Sequence, residues 1–354
     1  MPTVTSANNQ KKSDTILVFC PNWVGDVVMA TPTFRCLRQS YPDARLIGLI
    51  RGYAKGVVED APWFDQLIEI NDKSWRAFVH LVYQIRSLKA KLAVVLPNTF
   101  RSALLARLGG ARQIYGYRRN GRTALLSGGP APQRADNRIT PVPMADYYLE
   151  ICHWMNLTSD QDKKPRLYIS DPLQSVGNQF LERYGISSED MVIGINPGAK
   201  YGASKCWPPE YFARLAELLA QRWDCKLMLF IGPGEETIGQ TIVQHSKAKI
   251  INTGPDNVDL ALLKPLIRRC RILVTNDTGP RHYAVALGIP VVVIMGPTDP
   301  RYTHASLEKT IVLRQQLDCS PCHLKECPLD HSCMREISPE AALQAAEKLL
   351  QENL

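Results

Sequence analysis

One unit recurs along the chain and limits its possible folds. It is a short apolar run, then a turn rich in glycine or proline, then an amphipathic helix. In the first half, Thr15–Cys20, Arg45–Leu49, Gln66–Ile70, Leu92–Leu96 and Gln113–Tyr117 read as strands. The spacing predicts helices over Asp26–Ser40, Ala54–Asp60, Trp75–Lys89 and Thr99–Leu108, the last stopped by Gly109-Gly110. Such alternation predicts a mainly parallel sheet with helices on both faces. Residues 118–140 lose the period. They hold glycine, proline and five arginines, and read as a long exposed basic loop. Met144–Met155 closes the half as a helix.

The pattern then restarts. Residues 161–172 read as a linker, and Leu173–Tyr184 as a helix. Four apolar strands follow: Val192–Asn196, Lys226–Ile231, Ile272–Thr275 and Val291–Met295. Each runs into a turn carrying glycine. At 354 residues the chain exceeds one ordinary core. The expected organisation is a frayed tail (1–14), a first α/β domain (15–160), the linker (161–172), a second α/β domain (173–337) and a closing amphipathic helix (338–354). The cleft between two doubly wound domains is the expected active site.

Composition narrows the partners. No apolar run is long enough to span a membrane, and the polar start lacks a signal-peptide pattern, so a cytoplasmic protein is expected. A net charge of +8 suggests anionic partners. Ten cysteines in such a chain suit thiols or metal ligands better than disulfides. The arginines lack an interleaved aromatic platform or a DNA-binding motif, so nucleic acid is not the expected partner. Walker, dinucleotide-fingerprint and nucleophile-elbow motifs are absent, which weakens kinase, dehydrogenase and hydrolase readings.

Two regions carry chemistry. In Pro21–Pro32, Gly25 and Asp26 sit where the first strand turns into helix, at the sheet edge where ligands bind. Asp26 is either a helix cap or a carboxylate facing substrate. A carboxylate held at a helix start is expected to stay ionised. In the second half, four glycine turns on one sheet edge form a phosphate or diphosphate cradle, because glycine admits close approach and helix starts offer unpaired amides. Lys205, in a loop before a helix, can neutralise a phosphate. Asp277-Thr278-Gly279 opens a helix, with Asp277 either capping it or serving a ligand. Glu235 follows Gly232-Pro233-Gly234 and suits a ribose hydroxyl or the helix dipole.

Trp23-Val24-Gly25-Asp26 with Thr31-Pro32, Lys205-Cys206-Trp207-Pro208, and Asn276-Asp277-Thr278-Gly279 with His282 together resemble glycosyltransferase family 9, the ADP-heptose:lipopolysaccharide heptosyltransferases. Leu96–Leu104 and Tyr115-Gly116-Tyr117-Arg118 point to the heptosyltransferase II type. The resemblance implies GT-B architecture, two facing Rossmann-like domains with the closing helix packed back on the first. It implies inverting transfer of L-glycero-D-manno-heptose from ADP-heptose to the first heptose on Kdo2–lipid A, at the cytoplasmic face of the inner membrane. By the same resemblance Asp26 is the general base, Lys205 contacts the donor phosphates, Glu235 the ribose and Asp277 the heptose. Thr278, Gly279 and His282 lie in the diphosphate loop. Amides and Lys205 can take the leaving-group charge, so no cofactor is required for catalysis. Arg101, Arg118, Arg119 and Arg122 are expected to meet acceptor carboxylates and phosphates.

Other ADP-sugar transfer within the family, or a nucleotide-sugar sensor without the chemistry, are the rival readings. The presence of Asp26, Lys205 and Asp277 disfavours the sensor. One feature departs from the best-known members: Cys319, Cys322, Cys327 and Cys333, with His323 and His331 between. That spacing suits a structural zinc site, or free thiols packing a loop.

Overall fold

The computed structural model describes residues 14–72, 74–136, 138–158 and 162–353. The frayed tail expected over 1–14 lies outside them except for Asp14, as does Gln161 at the linker's start. The first domain runs β1 (Thr15–Phe19), α1 (Val24–Met29), α2 (Thr31–Ser40), β2 (Arg45–Ile50), β3 (Gln66–Glu69), α3 (Trp75–Ser87), β4 (Leu92–Val95), α4 (Phe100–Leu108) and β5 (Gln113–Tyr115). A small hairpin, β6 (Arg134–Ala135) and β7 (Arg138–Ile139), precedes α5 (Met144–Trp154). The second domain runs α6 (Asp171–Arg183), β8 (Val192–Asn196), α7 (Pro209–Arg222), β9 (Lys226–Leu229), α8 (Glu236–His245), β10 (Ile250–Asn252), α9 (Leu263–Arg269), β11 (Ile272–Asn276), α10 (Gly279–Leu287), β12 (Val291–Ile294), β13 (Thr310–Leu313), α11 (Ser332–Arg335) and α12 (Pro339–Glu352).

The two larger sheets are parallel, in the orders β3-β2-β1-β4-β5 and β10-β9-β8-β11-β12-β13. Strand order reverses between β1 and β4 in the first sheet and between β8 and β11 in the second. These are the topological switch points where open α/β sheets bind ligands. Asp26 follows β1, Gly198 follows β8 and Asp277 follows β11. On one face of the first sheet, α3 and α4 pack over Leu17, Phe19, Ile47 and Val95. Its other face shares one continuous core with the second domain, from Val18 and Phe34 through to Leu266 and Tyr283. The domains also meet through Lys264 and Asp60, whose ammonium and carboxylate lie 2.5 Å apart, the lysine wholly buried.

Three local expectations change. The helix over Asp26–Ser40 is two helices, broken at Ala30. Pro32 lacks the amide hydrogen that would continue the ladder, and the Thr31 hydroxyl bonds back to Val28 O at 2.8 Å. Two strands, β10 and β13, extend the second sheet beyond the four expected. The closing helix α12 does not return to the first domain. Its apolar stripe, Ala342, Ala345, Ala346, Leu349 and Leu350, joins the second-domain core beside Trp207 and Leu219. Arg222 on α7 pairs with Glu347 at 2.6 Å. The stripe matches the apolar face of the second sheet, and burial there decides where the helix lies. No helix among the described residues is long and apolar enough to cross a membrane.

Lys264→Ala would leave the Asp60 carboxylate against apolar surface without its counter-ion. Urea denaturation should show a loss of about 3 kcal/mol.

Candidate active site

The two switch points are pressed together at their helix starts. Gly25, in the first turn of α1, lies under the His282 ring of α10. A Cβ there would sit 2.6 Å from His282 Cδ2. One turn away, Val24 packs against Gly279, where an added Cβ would lie 3.1 Å from Val24 Cγ1. Larger residues at Gly25 would wedge the seam apart. This contact sets Asp26 opposite the Asp277-Thr278-Gly279 loop.

Asp26 does not cap its helix. The cap position is Trp23, and no side chain bonds to the free amides. Instead the Asp26 carboxylate accepts a hydrogen bond from the Tyr148 hydroxyl of α5 at 3.1 Å. Burial pushes the carboxyl up to about 6; the Tyr148 bond and the Lys205 charge oppose that shift. The expectation of an easily ionised group at a helix start is therefore corrected, because desolvation outweighs the macrodipole here.

Asp277 is not a helix cap either; that position is Thr278, also without a capping side-chain bond. The Asp277 carboxylate accepts from Lys205 Nζ at 2.9 Å, Arg281 at 2.7 Å and the Thr298 hydroxyl at 2.7 Å. Despite burial, these cations hold it well below the usual carboxylate range. Lys205 Nζ also donates to Asp277 O at 2.8 Å and lies 5.2 Å from the Tyr201 ring centre. Burial, reinforced by the Arg281 charge, pushes His282 down to about 3, so its imidazole is neutral at physiological pH. Asn276 fixes the loops around this cluster. Its amide donates to Pro197 O at 2.6 Å and accepts from Trp207 N at 3.1 Å.

Glu235 folds between two glycine turns. Its carboxylate accepts from Gly232 N at 3.0 Å and fills the space over Gly198, where a Cβ would be 1.9 Å away. Burial raises its pKa. The second-domain edge thus gathers Lys205, Glu235, Asp277, Thr278, Gly279 and His282 around one cradle, with Asp26 facing it.

The four arginines divide. Arg101 is exposed, donates to Asp72 at 2.7 Å and lies 4.6 Å from the Phe78 ring centre. Arg118 is exposed beyond β5, and half-buried Arg119 reaches the Tyr147 hydroxyl at 3.5 Å. Arg122 is no surface contact. It is fully buried and donates to Tyr117 O, Pro97 O and Asn98 Oδ1. Folded turns supply those oxygens, so its charge holds the loop onto β4 and does not face a ligand.

The cysteine segment serves the same loops. None of the ten cysteines forms a disulfide. Among the described residues, no three His, Cys, Asp or Glu side chains are arranged to hold a metal ion. Cys319 and Cys322 are exposed, whereas Cys333 is buried against Gly296. Burial and the neighbouring Cys327, Cys319 and Cys322 push the Cys333 thiol up to about 11. The zinc expectation is not carried further. The segment instead clasps the lysine loop. Ser204 N donates to Lys325 O at 3.0 Å, the Tyr201 hydroxyl donates to His323 O at 2.6 Å, and His331 Nε2 meets Ser204 O at 2.7 Å.

Sequence reasoning missed Tyr148, Tyr201, Arg281 and Thr298. Arg281 had a signal, since it stands one helical turn after Asp277. Tyr148 had none, being 122 residues from its partner.

A buried carboxylate facing a lysine and two helix starts, across two parallel sheets, is an arrangement suited to group transfer. The family model described as glycosyltransferase family 9 (heptosyltransferase) matches residues 79–332. The chain belongs to that family and is a glycosyltransferase. It is 27% identical to lipooligosaccharide heptosyltransferase 2 of Haemophilus ducreyi, covering 95% of this chain and 99% of that one. The structure of Escherichia coli ADP-heptose lipopolysaccharide heptosyltransferase II superposes with a TM-score of 0.79 at 26% identity, over 96% and 99% of the two chains. A family 9 glycosyltransferase from Veillonella parvula gives 0.83 at 24% identity, over 96% and 98%, a likeness of fold. The GT-B architecture is thereby shown.

Tyr148→Phe removes the one side-chain hydrogen bond that lowers the Asp26 pKa. Carboxyl-carbon NMR should show the Asp26 titration midpoint rising above the wild-type value near 6.

Proposed function

We propose that this chain transfers L-glycero-D-manno-heptose from ADP-heptose to the first heptose of the lipopolysaccharide inner core, with inversion at the anomeric carbon. The observation that carries the mechanism is a buried carboxylate, held by Tyr148 and close enough across the seam to feel the Lys205 charge. Two of the three named relatives are heptosyltransferases of the second type, one named for ADP-heptose, and these support the reading.

Asp26 accepts the proton of the acceptor hydroxyl as that oxygen attacks the anomeric carbon. A pKa near 6 leaves it ionised at neutral pH yet more basic than an ordinary aspartate. On the opposite face the bond to ADP breaks. Lys205 and the start of α10 meet the negative charge that develops on the diphosphate. Arg281 and Thr298 keep Asp277 paired while Lys205 turns toward the phosphate. Asp277 then faces the heptose hydroxyls, and Glu235, between the β8 and β9 turns, faces the ribose. Arg101, Arg118 and Arg119 line the acceptor side. The acceptor is lipid-linked, so the enzyme works as a peripheral visitor to the cytoplasmic face of the inner membrane.

Four outcomes test this reading. Purified protein with ADP-heptose should modify an acceptor bearing one heptose, and not acceptors bearing none or two. Asp26→Asn should lower kcat by at least about a hundredfold with ADP affinity nearly unchanged; full turnover in that variant sinks the base. The base must be ionised, so kcat/KM should fall tenfold per pH unit below about 6 and level off above it. Lys205→Ala should weaken ADP binding about tenfold or more, by isothermal calorimetry.

A further inference from the structure

The net charge of the chain is segregated. Residues 73–135 contain twelve lysines and arginines and no aspartate or glutamate. The remainder holds 30 basic against 34 acidic residues, a net −4, within a total of +8. The cationic stretch includes all of α3 and α4, neither of which has an acidic residue. Arg76, Arg86 and Arg107 are exposed on these helices. They cover the face of the first sheet turned away from the second domain.

A second observation concerns the carboxyl edge of the same sheet. An exposed aromatic residue follows each of four strands: Trp75 after β3 (72% exposed), Tyr53 after β2 (61%), Trp23 after β1 (52%) and Phe100 after β4 (50%). Sheet order places them as neighbours along that edge. They are held in place. Trp75 stacks on Phe78 at 5.8 Å, and the Tyr53 hydroxyl donates to Asn22 O. Trp23 stands at the cleft, 6.3 Å from Tyr201 across the seam. Arg51 and Arg101 lie on the same edge, both bonded to Asp72.

We propose that the aromatic carboxyl edge of the first sheet, with the adjoining outer faces of α3 and α4, is a docking surface for an anionic lipid bilayer. Amphipathic aromatic rings settle at the headgroup boundary, and lysine and arginine are drawn to anionic lipid. The combination identifies a charged membrane surface as the partner, because a protein partner would not require sixty-three residues free of carboxylates. Docking there brings Trp23 and the mouth of the cleft toward the lipid. The surface is argued from charge and exposure; its use for a lipid-linked acceptor rests on the transferase reading above.

The test is flotation of the full chain, without donor or acceptor, with phosphatidylcholine vesicles that contain or lack phosphatidylglycerol. The protein should float with the anionic vesicles, and high salt should release it. Arg76→Glu with Arg107→Glu should weaken flotation at least about tenfold. Trp75→Ala with Phe100→Ala should weaken it as well. Both pairs should keep the wild-type melting temperature and transfer normally to a delipidated, water-soluble acceptor. Equal binding to neutral vesicles, or undiminished binding by both variant pairs, overturns the proposal. So does a dimer in sedimentation that the Trp75/Phe100 pair dissolves, because a second copy would then own this face. Failure of the wild type to modify the soluble acceptor counts against the transferase reading and leaves the vesicle result standing.

Discussion

The seam between Gly25 and His282 determines what the two domains can do together. Each sheet ends in its own switch point, and either alone would be an ordinary ligand-binding edge. Because Gly25 carries no side chain, the His282 ring lies directly on α1 and the two helix starts face one another. The same closeness dries the site. Burial raises Asp26 and lowers His282, in each case toward the neutral form. A carboxylate more basic than an ordinary aspartate and an uncharged imidazole are both consequences of packing two helix ends tightly.

Charge in the second domain is arranged so that one cation can be lent. Asp277 has three donors, two of them cationic. Buried carboxylates stripped of a partner are costly, so a lone Lys205–Asp277 pair would resist separation. Arg281, one helical turn away, and Thr298, from the neighbouring strand end, remain when the lysine moves. The loop that carries Lys205 has little freedom. Its backbone is bonded to the cysteine-rich segment at Ser204, and Asn276 ties the adjoining Trp207 to the Pro197 turn. The ammonium is therefore carried on a fixed base, and only its own side-chain rotation is free.

Most strands legible in the sequence are buried on both faces, where parallel pairing produces continuous apolar runs, and the edge strands β3 and β5 were legible despite exposed residues. β10 and β13, the partly exposed edge strands of the second sheet, were not read from the sequence. The turns that carry Asp26, Lys205, Glu235 and Asp277 were legible, since glycine and proline mark them directly. Their partners were not. Tyr148 meets Asp26 only through the docking of α5, and Arg122 looked like a solvated arginine until turns around Pro97 and Tyr117 enclosed it. The closing helix was misplaced because an apolar stripe states that a helix is buried without stating against which sheet.

The distribution of charge has a consequence for how the molecule sits at work. With +12 confined to residues 73–135 and −4 spread over the rest, the chain has a strong charge asymmetry. Near an anionic surface that asymmetry exerts a torque, turning the first-sheet edge toward the surface and the donor-binding turns of the second domain away from it. The donor is itself an anion, and repulsion between it and the surface is screened beyond about 8 Å at physiological salt. A nucleotide approaching from the far side therefore feels mainly the local cradle of Lys205 and helix amides. On the proposed reading, separate cationic regions, one broad and one small, would let a single cleft receive two anionic substrates from opposite directions.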